Sequence, residues 1–358
     1  MQNSATTADS SPGAFDRQAA YQLYQALLGD ASIQAVIKEK SVLLFVTSGA
    51  LTSLPPGLLV TAPPMGGAAR DTDPTAVRAT AWLLRSKAVA LLPAVSSLRT
   101  LRQILPTNRV STPDPLLAFA DPDFSRPATP PKTRVTSAPA RGFSTYFRDG
   151  VPLAEELDNV PTLPGTRIEG EALERALHGR PGSLLTGRDA SKAQLMARNA
   201  DGRLAQVRAL EFATHGLVAG DASDLAEPAL VLAAGATAAD ELLLASEAAT
   251  LKLNADWVLL SACNTASPDA PEAQGLSGLS RAFFYAGARS LLVSHWRVRD
   301  DVAPKLIPAM LLAERNNPSI SRAEALRQAS LAILDNQSLN AASPAAWAPF
   351  TLIGEAGR

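Results

Sequence analysis

The feature that most constrains the fold is a regular alternation between short apolar runs and longer amphipathic segments. Apolar runs bounded by turn residues are typical of strands buried on both faces, and apolar residues at helical spacing indicate amphipathic helices. The pattern predicts strands at residues 43–46, 58–60, 88–92, 116–120, 183–186, 208–213, 257–260 and 290–294, and helices at residues 15–28, 75–84, 95–104, 167–177, 192–198, 276–286, 302–315 and 322–334. This order predicts an α/β fold with a mainly parallel sheet and helices on both faces.

A change in composition divides this pattern into two α/β halves. Residues 1–14 are rich in Ser, Ala and Thr and predict a disordered tail before an N-terminal half at 15–120. Residues 121–150 are rich in Pro, Ser, Thr and Arg without apolar periodicity, which indicates a linker or surface loop. The alternation resumes in the second half, residues 151–358.

The charge and the metal-binding residue types exclude several classes of function. The chain has 33 Lys and Arg against 34 Asp and Glu, so its formal net charge of -1 provides no bulk attraction for nucleic acid or an anionic membrane. One cysteine excludes an intramolecular disulfide and any multi-cysteine metal site. The three histidines form no H-E-x-x-H pattern, so we expect neither a metal nor another cofactor.

The sequence also lacks the features of secretory and membrane proteins. The segment from Met1 to Pro12 has no basic residue ahead of an apolar core, and the longest apolar runs are broken by Pro, Arg or Asp. A membrane helix needs about 20 apolar residues. We therefore expect a soluble protein in a reducing compartment such as the cytoplasm.

Two predicted strands of the second half each lead directly into a reactive residue. The strand at 208–213 is followed by Thr214, His215 and Gly216, and the strand at 257–260 is followed by Ser261, Ala262 and Cys263. In open parallel sheets the functional crevice lies beyond the carboxyl ends of the strands, and neighbouring strands are about 4.8 Å apart. If these two strands are neighbours, His215 and Cys263 face each other at that edge.

The side chains of this pair suit acyl transfer to a thiol. A free thiol has a pKa near 8.5, so a catalytic cysteine needs an imidazole to accept its proton, and His215 can do so. Gly216 leaves room for the substrate carbonyl, and the backbone N–H groups of Gly216 and Cys263 are candidate donors to an oxyanion. A lone cysteine after an apolar strand is otherwise more often an inert buried residue.

Several longer motifs surround this pair. They are Phe212-Ala213-Thr214-His215-Gly216, Leu259-Leu260-Ser261-Ala262-Cys263-Asn264-Thr265, and the segment from Gly275 to Ala288. Together they resemble the CHAT domain, a relative of caspases and separases that is often attached to TPR repeats. The resemblance extends through 290–296 and 347–354 and, in the first half, through 47–55 and 92–98. Cys263 follows His215 by 48 positions, close to the spacing of about 50 found in caspases.

The resemblance implies a caspase-like fold and a cysteine endopeptidase of protein substrates. Cys263 would be the nucleophile and His215 the base, in a catalytic second half, with a non-catalytic first half. The resemblance also implies a regulatory TPR-type region or partner protein. The cysteine context differs from the caspase Q-A-C-x-G signature, so a preference for aspartate does not follow.

The residues that would line the substrate groove are less specific. Ser294 and His295 follow the predicted strand at 290–294, and His295 is also a competing candidate for the base. Acidic residues in the loops after the two motif strands are candidate specificity residues: Asp221, Asp224, Asp269 and Glu272. Asp300 and Asp301 are better explained as helix caps.

Two other functions remain open from the sequence. The first is a catalytically silent CHAT-like module that binds other proteins. The second is a thiol hydrolase or acyltransferase of small substrates, which would need a deep, closed pocket instead of an open groove.

Overall fold

The computed structural model describes residues 14–66, 70–99, 101–102, 114–125, 157, 160–219, 225–262, 278–296 and 298–357. Within these ranges the strands are β1 Val42–Phe45, β2 Ala88–Leu91, β3 Asp114–Pro122, β4 Leu184–Gly187, β5 Val207–Ala213, β6 His215–Leu217, β7 Ala229–Val231, β8 Leu242–Leu244, β9 Trp257–Leu260, β10 Ser290–Ser294 and β11 Phe350–Gly354.

The helices of the described ranges are α1 Arg17–Leu28, α2 Ala31–Lys38, α3 Pro74–Arg78, α4 Leu83–Ser86, α5 Ser97–Arg99, α6 Pro164–Leu177, α7 Lys192–Ala200, α8 Ala238–Glu241, α9 Ala245–Ala248, α10 Gly278–Ala286, α11 Ala303–Asn316, α12 Arg322–Asp335 and α13 Pro344–Trp347. Side chains that cap the first turn fix where several of them begin. Asp16, Ser191 and Ser321 accept hydrogen bonds from backbone N–H groups at the starts of α1, α7 and α12. Among the described residues no helix is long and apolar enough to cross a membrane.

Eight strands form one twisted sheet in the order β1-β2-β11-β10-β9-β5-β3-β4. All neighbouring pairs are parallel except β10 and β11, which are antiparallel. The predicted mainly parallel sheet is thus confirmed. Its central strands are apolar on both faces, because each face is covered.

Helices cover both faces of this sheet, as predicted. On one face α6, α11 and α12 pack Leu173, Ile307 and Leu326 against residues such as Ala209 and Leu259 of the central strands. On the other face, α7 and α10 pack against the alternate residues of the same strands. Aromatic rings strengthen this second layer: Phe119 stacks on Phe212 with ring centroids 5.3 Å apart, and Phe283 lies 5.6 Å from Phe212.

The strands of the two predicted halves share this sheet. β3 lies between β4 and β5, while β1 and β2 join the other side through β11. Of the predicted linker, Asp121 and Pro122 are the last residues of β3, and residues 126–150 lie outside the described residues. The predicted tail at 1–14 lies outside them as far as residue 13. The division into domains stays a prediction.

Two local predictions in the first half are wrong. Residues 58–60 do not form a strand: Pro56–Leu58 is a 3₁₀ turn, and Val60 makes only an isolated bridge to Trp82. The helix predicted at 75–84 is divided into α3 and α4. The reason is the same for both, because Trp82 leaves the helix to pair with Val60 and is buried against Phe15 and Trp347, with ring centroids 5.4 and 5.3 Å away.

A second, smaller sheet follows β5 and was not predicted. It consists of β6, β7 and β8, paired antiparallel in that order. Phe124, Leu157, Leu217, Val231 and Leu242 form a separate apolar cluster around it. This small sheet lies where the chain leaves the main sheet at Thr214, so it determines the position of His215.

Candidate active site

The two strands that lead to the reactive residues are neighbours. β5 and β9 are parallel, with Phe212 opposite Leu260 at their carboxyl ends. β10 lies on the other side of β9, with Val293 opposite Leu260. The sequence predicted that the strands before His215 and before Cys263 adjoin, and this register confirms it.

His215 is the first residue of β6, and its backbone is held by the small sheet. It lies opposite Val231 in the β6–β7 ladder. The preceding residue, Thr214, donates its hydroxyl hydrogen to the carbonyl of Val231. Because both residues bind β7, the turn from β5 into β6 is fixed. The backbone position from which the His215 side chain extends is therefore fixed as well.

One nitrogen of the His215 ring is bound to a backbone carbonyl. Nε2 lies 2.9 Å from the carbonyl oxygen of Pro161, and the ring lies 5.5 Å from that of Phe124. A carbonyl only accepts hydrogen bonds, so Nε2 carries a hydrogen and the proton-accepting lone pair of the neutral ring is on Nδ1. The neutral ring of His215, which is 5% exposed, can therefore accept a proton through Nδ1.

The residues just before Cys263 are bound from two sides. The hydroxyl of Ser294, at the end of β10, donates to the carbonyl of Ala262. The hydroxyl of Ser261 hydrogen-bonds the carboxyl group of Glu169 on α6. These contacts fix the main chain where it leaves β9.

His295 differs from His215 in its surroundings. Its Nε2 lies 2.9 Å from the hydroxyl of Thr351, and its backbone N–H donates to Pro349, so it faces β11 and not β5. Burial lowers the pKa of His295 to about 4. This low pKa and the position on the β11 side of β10 make His295 the weaker candidate for the base.

Two carboxyl groups are buried beneath the ends of these strands. Glu211 on β5 and Glu169 on α6 are 0% and 2% exposed. Burial is the main cause of a pKa of about 7 for Glu169, while the hydrogen bond from Ser261 opposes the increase. Burial and the nearby Glu169 raise the pKa of Glu211 well above its usual value.

Only some of the other predicted site residues lie among the described residues. Gly216 lies in β6 opposite Leu230. Ser294 and His295, assigned to the substrate groove, are buried in this structure, and that assignment stays a prediction. The remaining candidates lie outside the described residues: Cys263, Asp221, Asp224, Asp269 and Glu272. Among the described residues no group of three or more His, Cys, Asp or Glu could hold a metal ion.

Reasoning from the sequence missed four groups at this site: Pro161, Phe124, Glu169 and Glu211. Pro161 is 54 positions from His215, and nothing in the local pattern indicates the contact. The same holds for Phe124. Glu211 did leave a signal, because a carboxyl group interrupts the otherwise apolar run Leu210-Glu211-Phe212-Ala213 in a strand buried on both faces.

Comparison with known proteins agrees with the resemblance found in the sequence. A model of the CHAT domain family matches residues 17–355. The chain belongs to this family. Its mainly parallel eight-stranded sheet with helices on both faces is the α/β fold that the sequence predicted. The comparison with curated proteins gave no match.

Two solved structures are similar over much of the chain. One is separase of Saccharomyces cerevisiae in complex with securin, with 12% identity and a TM-score of 0.41, covering 75% of this chain and 14% of that chain. The other is the Arg specific cysteine proteinase gingipain R, with 10% identity and a TM-score of 0.44, covering 95% of this chain and 67% of that chain. The chain therefore spans about a seventh of the separase chain it matches.

Proposed function

We propose that this protein is a cysteine endopeptidase in which Cys263 is the nucleophile and His215 the base. The observation that carries the proposal is the orientation of the His215 ring. Its Nε2 is bound to Pro161, so Nδ1 is the proton acceptor, at the end of the strand adjacent to the one that leads to Cys263. Membership of the CHAT family, whose model covers both motifs, supports the same pair.

In the proposed reaction, the thiol of Cys263 transfers its proton to His215 Nδ1, and the sulfur attacks the peptide carbonyl. The backbone N–H groups of Gly216 and Cys263 would stabilise the oxyanion. His215 then returns the proton to the leaving amine, which leaves an acyl-enzyme. Water, deprotonated by His215, hydrolyses the thioester and regenerates the thiol. No metal or other cofactor takes part in these steps.

The substrate of this reaction is proposed to be a protein, and its cleavage to depend on a TPR-type region or a partner protein. The groove residues belong to the same proposal: Ser294, His295, Asp224, Asp269 and Glu272. No observation among the described residues favours the small-substrate hydrolase.

The test is a comparison of new protein amino termini in a cell lysate incubated with the wild type, with Cys263→Ala and with His215→Ala. We expect the wild type to generate termini that are absent with both variants. A Glu174→Gln variant, changed on the outer part of α6, serves as a control that retains cleavage. The lysate should come from cells that express proteins bound by this chain. If the wild type and Cys263→Ala then give the same termini, the chain is a catalytically silent module that binds other proteins.

A further inference from the structure

The structure contains a buried acid pair that the proposed reaction does not use. Glu211 lies on β5, four positions before His215, and Glu169 approaches it from α6. Ser261, two positions before Cys263, hydrogen-bonds Glu169. The pair therefore connects, through one hydroxyl, to the start of the segment that contains the proposed nucleophile.

Two ionised carboxylates would be very costly in this position. Both oxygens of Glu211 and Oε1 of Glu169 receive no hydrogen bond from any N–H or O–H donor among the described residues. Two adjacent like charges in an apolar environment also repel each other strongly. A proton on Glu211, donated to Glu169, removes the repulsion and gives a partner to one oxygen of each carboxyl group.

The charged groups around Glu169 and Glu211 do not neutralise the two carboxylates, so a proton shared between them is the main way to remove one negative charge. Asp300, from the turn before α11, faces Glu169, and its negative charge raises the pKa of Glu169 further. On α11, Lys305 donates to the carbonyl of Asp301, and Glu314 accepts from Trp257. On α6, Arg167 is paired with Asp121 at the surface.

We propose that Glu169 and Glu211 are positioning residues for Cys263. Glu211 keeps a proton and donates it to the Glu169 carboxylate, and the Glu169 carboxylate accepts the hydroxyl hydrogen of Ser261. A hydrogen bond to a carboxylate is about twice as strong as one between neutral groups. These hydrogen bonds fix the position of Ser261. We infer that they thereby also fix the backbone from which the segment beginning at Cys263 extends. The kinetic consequences of this inference rest on the proposed peptidase activity.

The proposal predicts which changes matter and at which pH. Ser261→Ala removes the donor, and Glu169→Gln replaces the carboxylate with a neutral amide, so both should lower kcat about tenfold or more with little change in KM. Because Glu169 has a pKa of about 7, the loss with Glu169→Gln should be small at about pH 6 and full at about pH 8. Glu211→Gln keeps a donor toward Glu169 and should retain most of the activity.

A positioning role is separated from a structural one by measuring stability alongside kinetics. Ser261→Ala and Glu169→Gln should have a Tm close to that of the wild type, and Glu174→Gln, on the same helix but bonded to Ser183, should match the wild type in both kcat and Tm. Infrared spectroscopy should show a protonated carboxyl band near neutral pH that decreases in Glu211→Gln. The proposal is overturned if kcat is unchanged in Ser261→Ala and Glu169→Gln. It is also overturned if each loss of kcat is accompanied by a matching loss of stability, measured as a lower Tm, or if the wild type shows no protonated carboxyl band.

A second readout keeps the inference independent of peptidase activity. The rate at which iodoacetamide alkylates Cys263, the one cysteine of the chain, reports on the position and ionisation of its thiol. If the wild type cleaves no protein but Ser261→Ala and Glu169→Gln change this rate at about pH 8, the proposed function fails and the positioning role stands. If the wild type is active and neither kcat nor alkylation responds to these variants, the positioning role fails and the proposed function stands.

Discussion

His215 and His295 are both buried histidines at strand ends, but their hydrogen-bond partners give them different chemistry. Pro161 can only accept a hydrogen bond from His215, whereas His295 is bound to the hydroxyl of Thr351. Burial holds the pKa of His295 at about 4, so its ring is neutral near pH 7 and provides no positive charge. These contacts favour His215 over His295 as the proposed base.

This difference predicts the order of thiol reactivity in two variants. His215→Ala should slow the alkylation of Cys263 by iodoacetamide about tenfold near pH 7, because the thiol loses its proton acceptor and a smaller fraction of it is thiolate. His295→Ala should leave the rate nearly unchanged. The measurement is the second-order rate constant, and the one cysteine in the chain makes the signal specific. The reverse order would show that the base is His295.

At the scale of secondary-structure elements, the buried side chain of Arg322 in α12 links this helix to α11, to β10 and to the residue before β9. It begins α12, and its guanidinium contacts Asp256 before β9 at 3.4 Å, Glu314 of α11 at 3.3 Å and the hydroxyl of Ser290 on β10 at 2.9 Å. It also lies over the ring of Trp257 at 5.5 Å. The sheet and two covering helices therefore share one cation.

Removal of this cation should destabilise the fold strongly. Arg322→Met removes the cation that Asp256 and Glu314 share, although Asp256 keeps Arg208 and Glu314 keeps Trp257 as partners. We expect it to lower the free energy of unfolding by about 3 kcal/mol. Arg203→Met, at an exposed pair with Asp201, is the matched control and should leave the free energy of unfolding nearly unchanged. Urea denaturation near neutral pH compares the two. Equal losses would contradict the structural role given to Arg322.

The turn from α10 into β10 depends on a glycine. Gly287 has φ of +111°, and a Cβ there would lie 2.4 Å from the carbonyl oxygen of Leu253. Its backbone N–H and that of Ala288 bind the last carbonyls of α10. The close approach to Leu253 therefore sets how α10 packs on the sheet next to β9 and β10.

We expect Gly287→Ala to be considerably more harmful than a change at another glycine with positive φ. Gly202 has φ of +78°, but a Cβ there meets no atom within 4 Å. Gly202→Ala should cost about 1 kcal/mol for the backbone conformation, whereas Gly287→Ala adds a steric clash with backbone and should cost about 2–3 kcal/mol. Thermal unfolding of the two variants tests the difference. A smaller loss for Gly287→Ala would mean that the Leu253 contact relaxes easily.

At the scale of the whole molecule, the buried acid pair makes stability depend on pH. The folded pKa of Glu169, about 7, and that of Glu211 lie above the usual value for a glutamate, so the fold binds more protons than the unfolded chain. This contribution is present below about pH 4.5 and is lost as the pH rises through 7. His295 acts in the opposite direction, because its lowered pKa reduces stability as the pH falls from 6.5 towards 4.

Above about pH 7 His295 is neutral in both the folded and the unfolded chain, so it no longer changes stability with pH. The carboxyl pair then dominates the pH dependence of stability. We expect the urea midpoint of the wild type to decrease from about pH 7 to about pH 9. The double variant Glu169→Gln/Glu211→Gln should lose most of this decrease, while Glu174→Gln should retain it. A decrease of the same size in the double variant would assign the effect to other groups.

Much of the fold was predictable because its signals are local. β5, β9 and β10 were predicted to within one residue, since continuous apolar runs are typical of strands covered on both faces. The motifs around His215 and Cys263 identified the family without any structure. The errors at Val60 and Trp82 occurred where a contact across 22 residues overrode the local pattern.

The sequence by itself thus determined the alternation of strands and helices, the family and the candidate pair His215 and Cys263. The tertiary structure decided the order of the strands, with β3 between β4 and β5, and the small sheet that holds His215. It also decided that Nε2 of His215 is bound to Pro161, and that Glu211 is buried next to Glu169, which raises the pKa of Glu211. The physical reason is that periodicity reports which face of each element is buried, whereas hydrogen-bond partners and pKa values depend on groups brought together from distant parts of the chain, as Pro161 and Glu169 are here.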